Sequence, residues 1–100
     1  MLLGFSVAPT IGDETGGVAA AVAEAVRIVR ESGLPHETTS MFTTIEGEWD
    51  EVFDVVKRAT DAVVAVAPRV SLVIKADIRP GFTGQLTEKV ERVEEILRGQ

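Results

Sequence analysis

The chain has 100 residues, of which 45% are hydrophobic and 26% are charged, and its formal charge is −6. This length suits one domain with a single packed core, so residues 1–100 are expected to form one domain. An acidic chain repels phosphate backbones, which argues against nucleic acid as a partner. The absence of cysteine and the single histidine, His36, exclude thiolate and multi-histidine metal sites. No apolar run reaches the roughly 20 residues that span a bilayer, so we expect a cytoplasmic protein without a membrane partner.

The first half of the chain predicts a strand, a helix and two short strands. Leu2–Ala8 alternates like a strand. The segment "IGDETGG" contains no lysine, so we interpret it as a turn and helix cap rather than a phosphate-binding loop. A helix follows over about Val18–Ser32, with valines at helical spacing. The next stretch is too rich in threonine for a helix and predicts strands over about His36–Thr39 and Phe42–Glu46.

The second half predicts a helix, a strand and a final helix. The helix runs over about Glu48–Ala67, and its apolar stripe includes Trp49, which is expected in the core. Arg69–Arg79 alternates as a strand, and Gln85–Arg98 repeats apolar residues at helical spacing. The core residues expected on these stripes are Val22, Val26, Phe53, Val56, Leu72 and Ile74.

The element order is typical of an α+β fold, the ferredoxin-like βαββαβ sandwich, here with an added C-terminal helix. Two helices would cover one face of a four-stranded antiparallel sheet. The other face would carry polar residues and the apolar Val73 without cover from this chain. Because such a face is usually buried by another subunit, we expect self-association into a dimer or a tetramer.

Two groups of polar residues are candidates for a binding site. Glu46 ends a strand after Thr43 and Thr44, and it is either a solvated strand end or a carboxylate in a pocket. In a regular strand Thr43 and Glu46 point to opposite faces, which makes Thr44 the alternative partner. Lys75 and Asp77 alternate on one strand, either as a solvated ladder of charges or as a polar patch. No nucleophile and base can be paired, so we expect neither a catalytic residue nor a metal site.

Several ordered segments resemble the family of small thiamine-binding ferredoxin-like proteins, namely "FSVAP", "SGL", "MFTTIEGEWDEVF", "RV", "IKADIRPG" and "LTEKVERV". That family is similar to each half of a two-domain bacterial hydroxymethylpyrimidine/thiamine-binding protein. The resemblance covers nearly the whole chain and rests mainly on a T-x-I-E-G element at Thr43–Gly47 and an I-K-x-D-x-R element at Ile74–Arg79. Phe42 stands where a small residue is expected, and this difference would reshape a pocket.

The resemblance implies non-catalytic binding of thiamine or its hydroxymethylpyrimidine moiety, near the sheet or a subunit interface, and requires no cofactor. A carboxylate can accept a hydrogen bond from the exocyclic amine, hydroxyls can serve ring nitrogens, and an aromatic side chain can contact the rings. We predict Glu46 as the chief polar contact, near a solvent boundary, so that Glu46→Gln would spare the fold. The full predicted ligand-binding set is Ser6, Phe42, Thr43, Thr44, Glu46, Lys75 and Asp77.

Two other classes of protein stay open at this point. One is a structural or regulatory oligomerisation module that binds no small molecule. The other is an enzyme built on a small ferredoxin-like barrel, for which the sequence offers no convincing base.

Overall fold

The computed structural model describes residues 1–9 and 17–99 and contains the predicted elements in the predicted order. The elements are β1 (Leu2–Pro9), α1 (Gly17–Glu31), β2 (His36–Thr38), β3 (Thr43–Glu46), α2 (Trp49–Val64), β4 (Val70–Asp77) and α3 (Gln85–Arg98). Most of the predicted glycine-rich turn, residues 11–16, lies outside the described residues. Every described element begins and ends within three residues of its predicted bounds.

The four strands form one antiparallel sheet in the order β2-β3-β1-β4. In this register Gly4 of β1 lies between Thr44 of β3 and Lys75 of β4. Leu2 lies in the same way between Glu46 and Asp77. Directly opposite residues point to the same face of an antiparallel sheet, so the polar ends of β3 and β4 flank β1 on one face. We call this side the open face.

The core lies on the other face, where α1 and α2 cover the sheet. Its buried members are Leu3, Phe5 and Ile45 from the sheet, Ala21, Ala25 and Val29 from α1, and Val52, Val55, Val56, Ala59 and Val63 from α2. The strand residues alternate with those of the open face, as a half-buried sheet requires. The helix residues recur at spacings of three and four, which places them on one side of each helix.

The predicted core is partly wrong on α1. Val22 is 37% exposed and Val26 is only partly covered, whereas Ala21 and Ala25 are buried. The small alanine side chains let the helix backbone approach the layer beneath it, and the valines flank this contact. The apolar stripe of α1 is therefore rotated from the one that the valine spacing predicts.

The predicted core is also partly wrong at β4 and α2. Leu72 and Ile74 are each 39% exposed because β4 is an edge strand of the sheet. Trp49 is 54% exposed rather than buried. Its ring stacks on the half-buried ring of Phe53, with the centroids 5.2 Å apart. Val56 is buried as predicted.

Helix α3 stands apart from this packed body. None of its residues is buried. Its apolar side chains form an exposed row that we call the α3 stripe, consisting of Val90, Val93, Ile96 and Leu97. The radius of gyration is 15.4 Å, larger than the about 13 Å typical of a compact chain of this length. Within the described ranges, no helix is both long and apolar enough to cross a membrane.

Candidate functional site

A cavity of about 250 Å³ lies on the open face. Strands β1, β3 and β4 provide its floor and walls, the turn before β3 provides an aromatic ring, and α3 provides one side chain at the rim. We call it the open-face cavity; it is lined by Leu2, Gly4, Phe42, Thr44, Lys75, Asp77 and Lys89. The cavity thus combines apolar surface with a hydroxyl, a carboxylate and two ammonium groups.

Gly4 leaves the floor of the open-face cavity free of side chain. A Cβ atom at this position would lie 3.6 Å from Oγ1 of Thr44 and 3.9 Å from the backbone oxygen of Lys75, which are ordinary contact distances. The fold therefore has room for a larger residue here. A glycine in a central strand often marks a place where a ligand approaches the backbone closely.

Glu46 lies beside this cavity, opposite Leu2, and its carboxylate faces the first turn of α3. The backbone N–H of Gln85 donates to Oε2 at 3.0 Å, and the backbone N–H of Leu86 donates to Oε1 at 3.3 Å. The N-cap residue of α3, Gly84, has no side chain to satisfy these donors. Glu46 therefore caps α3 from another part of the chain, and its negative charge suits the helix N-terminus.

The burial of Glu46 corrects one expectation. Glu46 is only 8% exposed, so the prediction that it lies near a solvent boundary is wrong. The strand end is closed to water because α3 begins directly above it. Replacing Glu46 is consequently expected to disturb α3, which the sequence did not indicate.

A second connection joins α3 to the sheet at the rim of the cavity. Nζ of Lys89 lies 3.6 Å from a carboxylate oxygen of Asp77. Both side chains are more than half exposed, so this ion pair adds little to stability. Its structural effect is to place the Lys89 ammonium group over the open face.

The structure brings four of the predicted site residues together, places Glu46 beside them and puts the two others in a different cavity. Phe42, Thr44, Lys75 and Asp77 all line the open-face cavity. The remaining hydroxyl residues, Ser6 and Thr43, line a second cavity of about 140 Å³ between α1 and the β2–β3 hairpin, which Phe42 also borders.

The sheet register explains why the two threonines separate. Thr43 pairs with Phe5, whose side chain is in the core, whereas Thr44 pairs with Gly4 on the open face. Thr44 and Glu46 therefore share a face, and Thr43 does not. This arrangement agrees with the strand alternation and places Thr44 on the face of the sheet that carries Glu46 and Asp77.

Three lining residues were missing from the predicted site. The alternation of β1 places Leu2 and Gly4 on the open face, so they could have been found from the sequence once the strand order was known. The sequence did not indicate Lys89, because this residue reaches the cavity only through the docking of α3 against the sheet. Among residues 1–9 and 17–99, no group of three or more histidine, cysteine or acidic residues could hold a metal ion.

Fold and cavity together define a small ferredoxin-like domain with a candidate small-molecule site on its open face. The chain belongs to the thiamine-binding protein family, whose model, described as "Thiamine-binding protein", matches residues 3–94. It is 54% identical over 99 residues to a UPF0045 protein of Mycobacterium bovis, an alignment that covers 97% of this chain and 94% of the relative.

Solved structures confirm the ferredoxin-like fold. A domain of unknown function from Bacillus cereus superposes with a TM-score of 0.76 at 39% identity, over 89% of this chain and 85% of that one. A Thermotoga maritima protein, provisionally named for thiamine biosynthesis or salvage, superposes with a TM-score of 0.77 at 26% identity, over 92% of this chain and 96% of that one.

Proposed function

We propose that this protein binds thiamine or its hydroxymethylpyrimidine moiety in the open-face cavity without converting it chemically. Membership of the thiamine-binding protein family is the observation that carries this proposal. The cavity supports it because Thr44, at the variable position of the β3 element, and Lys75 and Asp77 of the β4 element line it on either side of β1.

The lining of the cavity fits an aminopyrimidine ring. The ring would lie on the backbone at Gly4 and against the aromatic side chain of Phe42. The Thr44 hydroxyl can donate to a ring nitrogen, and the Asp77 carboxylate can accept from the exocyclic amine. A volume of about 250 Å³ is slightly below the roughly 300–1,000 Å³ of pockets for drug-sized ligands. The pyrimidine would therefore occupy the cavity, and the rest of a thiamine molecule would extend beyond it.

Glu46 is proposed to support binding in two ways. It holds the first turn of α3, and through α3 it keeps Lys89 at the cavity rim. A carboxylate offers about four acceptor positions, of which the amides of Gln85 and Leu86 occupy two. The remaining positions can accept from the ligand's amine at the Leu2 end of the cavity.

Isothermal calorimetry with thiamine, its phosphates and hydroxymethylpyrimidine tests this proposal. Gly4→Val should abolish binding because it fills the floor of the cavity, and a β-branched residue suits a strand. Ala8→Val is the matched control, since Ala8 is on the same strand and face but pairs with Ser71 outside the cavity. Absence of heat with every ligand, or unchanged binding by Gly4→Val, would contradict the proposal.

We also propose that the protein associates with itself as a dimer or a tetramer. The α3 stripe is exposed, and Val73 on the open face is 52% exposed. Apolar side chains exposed in a row, like those of the α3 stripe, commonly mark a protein interface. A purely structural module, the alternative function, would assemble in the same way but would bind none of the ligands tested by calorimetry.

A further inference from the structure

The open-face cavity is less acidic than the chain as a whole. The chain carries a formal charge of −6, but the cavity is lined by two lysines, Lys75 and Lys89, and one acid, Asp77. With Glu46, which lies beside the cavity opposite Leu2, the four charges sum to zero. A neutral site with two ammonium groups opposes an anionic ligand much less than the net charge of the chain does.

The acidic side chains nearby are already engaged. The carboxylate of Asp77 is paired with the ammonium group of Lys89. The carboxylate of Glu46 accepts two backbone N–H groups at the start of α3. Both carboxylates therefore already have partners within the chain, and each keeps acceptor positions for the ligand's amine.

Lys75 is the charged group of the cavity that has no such partner. No ion pair joins it to a carboxylate within residues 1–9 and 17–99. It lies directly opposite Gly4, on the same face of the sheet, and it lines the cavity. Lys89 approaches the same space from α3.

We propose that the ligand carries a phosphate ester and that Lys75 and Lys89 bind its phosphate. This inference rests on the proposed function, and it specifies the ligand class as a phosphorylated form of the pyrimidine or of thiamine. A phosphate monoester carries a charge of about −1.5 to −2 at pH 7, and lysine ammonium groups bind phosphate as point charges. The pyrimidine would lie on Gly4 beside Phe42, with the phosphate towards α3.

Paired titrations by calorimetry test the inference. Hydroxymethylpyrimidine is compared with its phosphate, and thiamine with thiamine monophosphate, at one fixed salt concentration. We expect each phosphate ester to bind about tenfold more tightly or better than its unphosphorylated form, as one charge-assisted hydrogen bond allows. Raising the salt concentration should reduce this difference because it screens the exposed ammonium groups.

The variant Lys75→Gln should bring the ratio of the dissociation constants of the unphosphorylated ligand and its ester close to one, which removes most of the preference for the phosphate ester. Lys57→Gln is the matched control: it removes the same charge from α2, where Lys57 pairs with Asp61 away from the cavity. Lys75 is exposed, so both variants should melt close to the parent and report on binding alone.

The outcomes separate this inference from the proposed function. If an unphosphorylated ligand binds the parent as tightly as its ester, the inference is overturned and the proposed function stands. If Lys75→Gln weakens both forms equally, Lys75 is a general contact and the inference is also overturned. If no form binds, the proposed function fails and the inference fails with it.

Discussion

The carboxylate of Glu46 accepts the backbone N–H of Gln85 at 3.0 Å across 39 positions of sequence. The first N–H groups of any helix lack partners within the helix. In α3 a neighbouring side chain cannot supply one, because the N-cap residue is Gly84, with φ of +68°. The end of β3 therefore determines where α3 begins and how it is held.

Replacing Glu46 should loosen α3 selectively. We expect Glu46→Ala to lower the free energy of unfolding by about 0.5–2 kcal/mol, the usual range for loss of a helix cap. Hydrogen exchange of the Gln85 and Leu86 amides should accelerate more than exchange in the core strands. Glu37→Ala, at an exposed residue of β2, is the control and should change neither quantity. Unaltered exchange at both amides in Glu46→Ala would mean that the cap does not hold α3.

The buried face of α1 can be tested with two identical substitutions. Ala25 is 3% exposed, so Ala25→Leu should overpack the core and cost about 1–3 kcal/mol. Ala23 is exposed, and leucine is nearly as good a helix former as alanine, so Ala23→Leu should stay within about 0.5 kcal/mol of the parent. Urea unfolding measures both values. Equal destabilisation by the two variants would show that α1 is rotated from the described orientation.

Self-association should depend on the α3 stripe. Val93 is 55% exposed, and Val93→Asp would place a charge in an apolar contact, so we expect a monomer at micromolar concentration. Thr87→Asp adds the same charge in the first turn of α3, outside the stripe, and should preserve the parent mass. Size-exclusion chromatography with light scattering distinguishes these results, and a monomeric parent would remove the basis for the proposed assembly.

The ion pair between Arg27 and Glu24, on the solvent side of α1, leads to a prediction about the pKa of Glu24. Nε of Arg27 donates to the carboxylate of Glu24 at 2.8 Å, and this hydrogen bond lowers the pKa of Glu24. A lowered pKa in the folded state stabilises the protein above the ordinary carboxyl pKa, and this contribution is lost as the pH falls through the folded value. Arg27→Gln should return the pKa of Glu24 towards its ordinary value in an NMR titration. Arg30→Gln, the control, should leave it lowered.

The sequence predicted the order of elements correctly because the hydrophobic periodicity and the glycine and proline residues that interrupt it indicate the same element boundaries along most of the chain. The sequence did not predict correctly which side of α1 faces the core. Valine and alanine are both apolar, so the period alone cannot choose between the stripe through Val22 and the stripe through Ala25. Alternation in β4 correctly separated its two faces, but it could not show that this strand lies at an edge, where Leu72 and Ile74 remain partly exposed.

The part of the candidate site that lies on the strands could be predicted from the sequence. Thr44 and Lys75 belong to two sequence elements on separate strands, and pairing of both strands with β1 brings them to Gly4. Lys89 and the capping role of Glu46 depend on where α3 docks. No local pattern encodes that docking, because the contact joins residues about 40 positions apart through side-chain oxygen and backbone nitrogen atoms.

The distribution of the core along the chain has a consequence for biosynthesis. Every buried hydrophobic residue described here lies between Leu3 and Val63, so during translation all of them are made before β4 and α3. Collapse around these side chains can begin while the ribosome is still adding the edge strand. Until α3 is made, Glu46 lacks the helix that covers it. The last helix then adds exposed apolar side chains and no buried core residue.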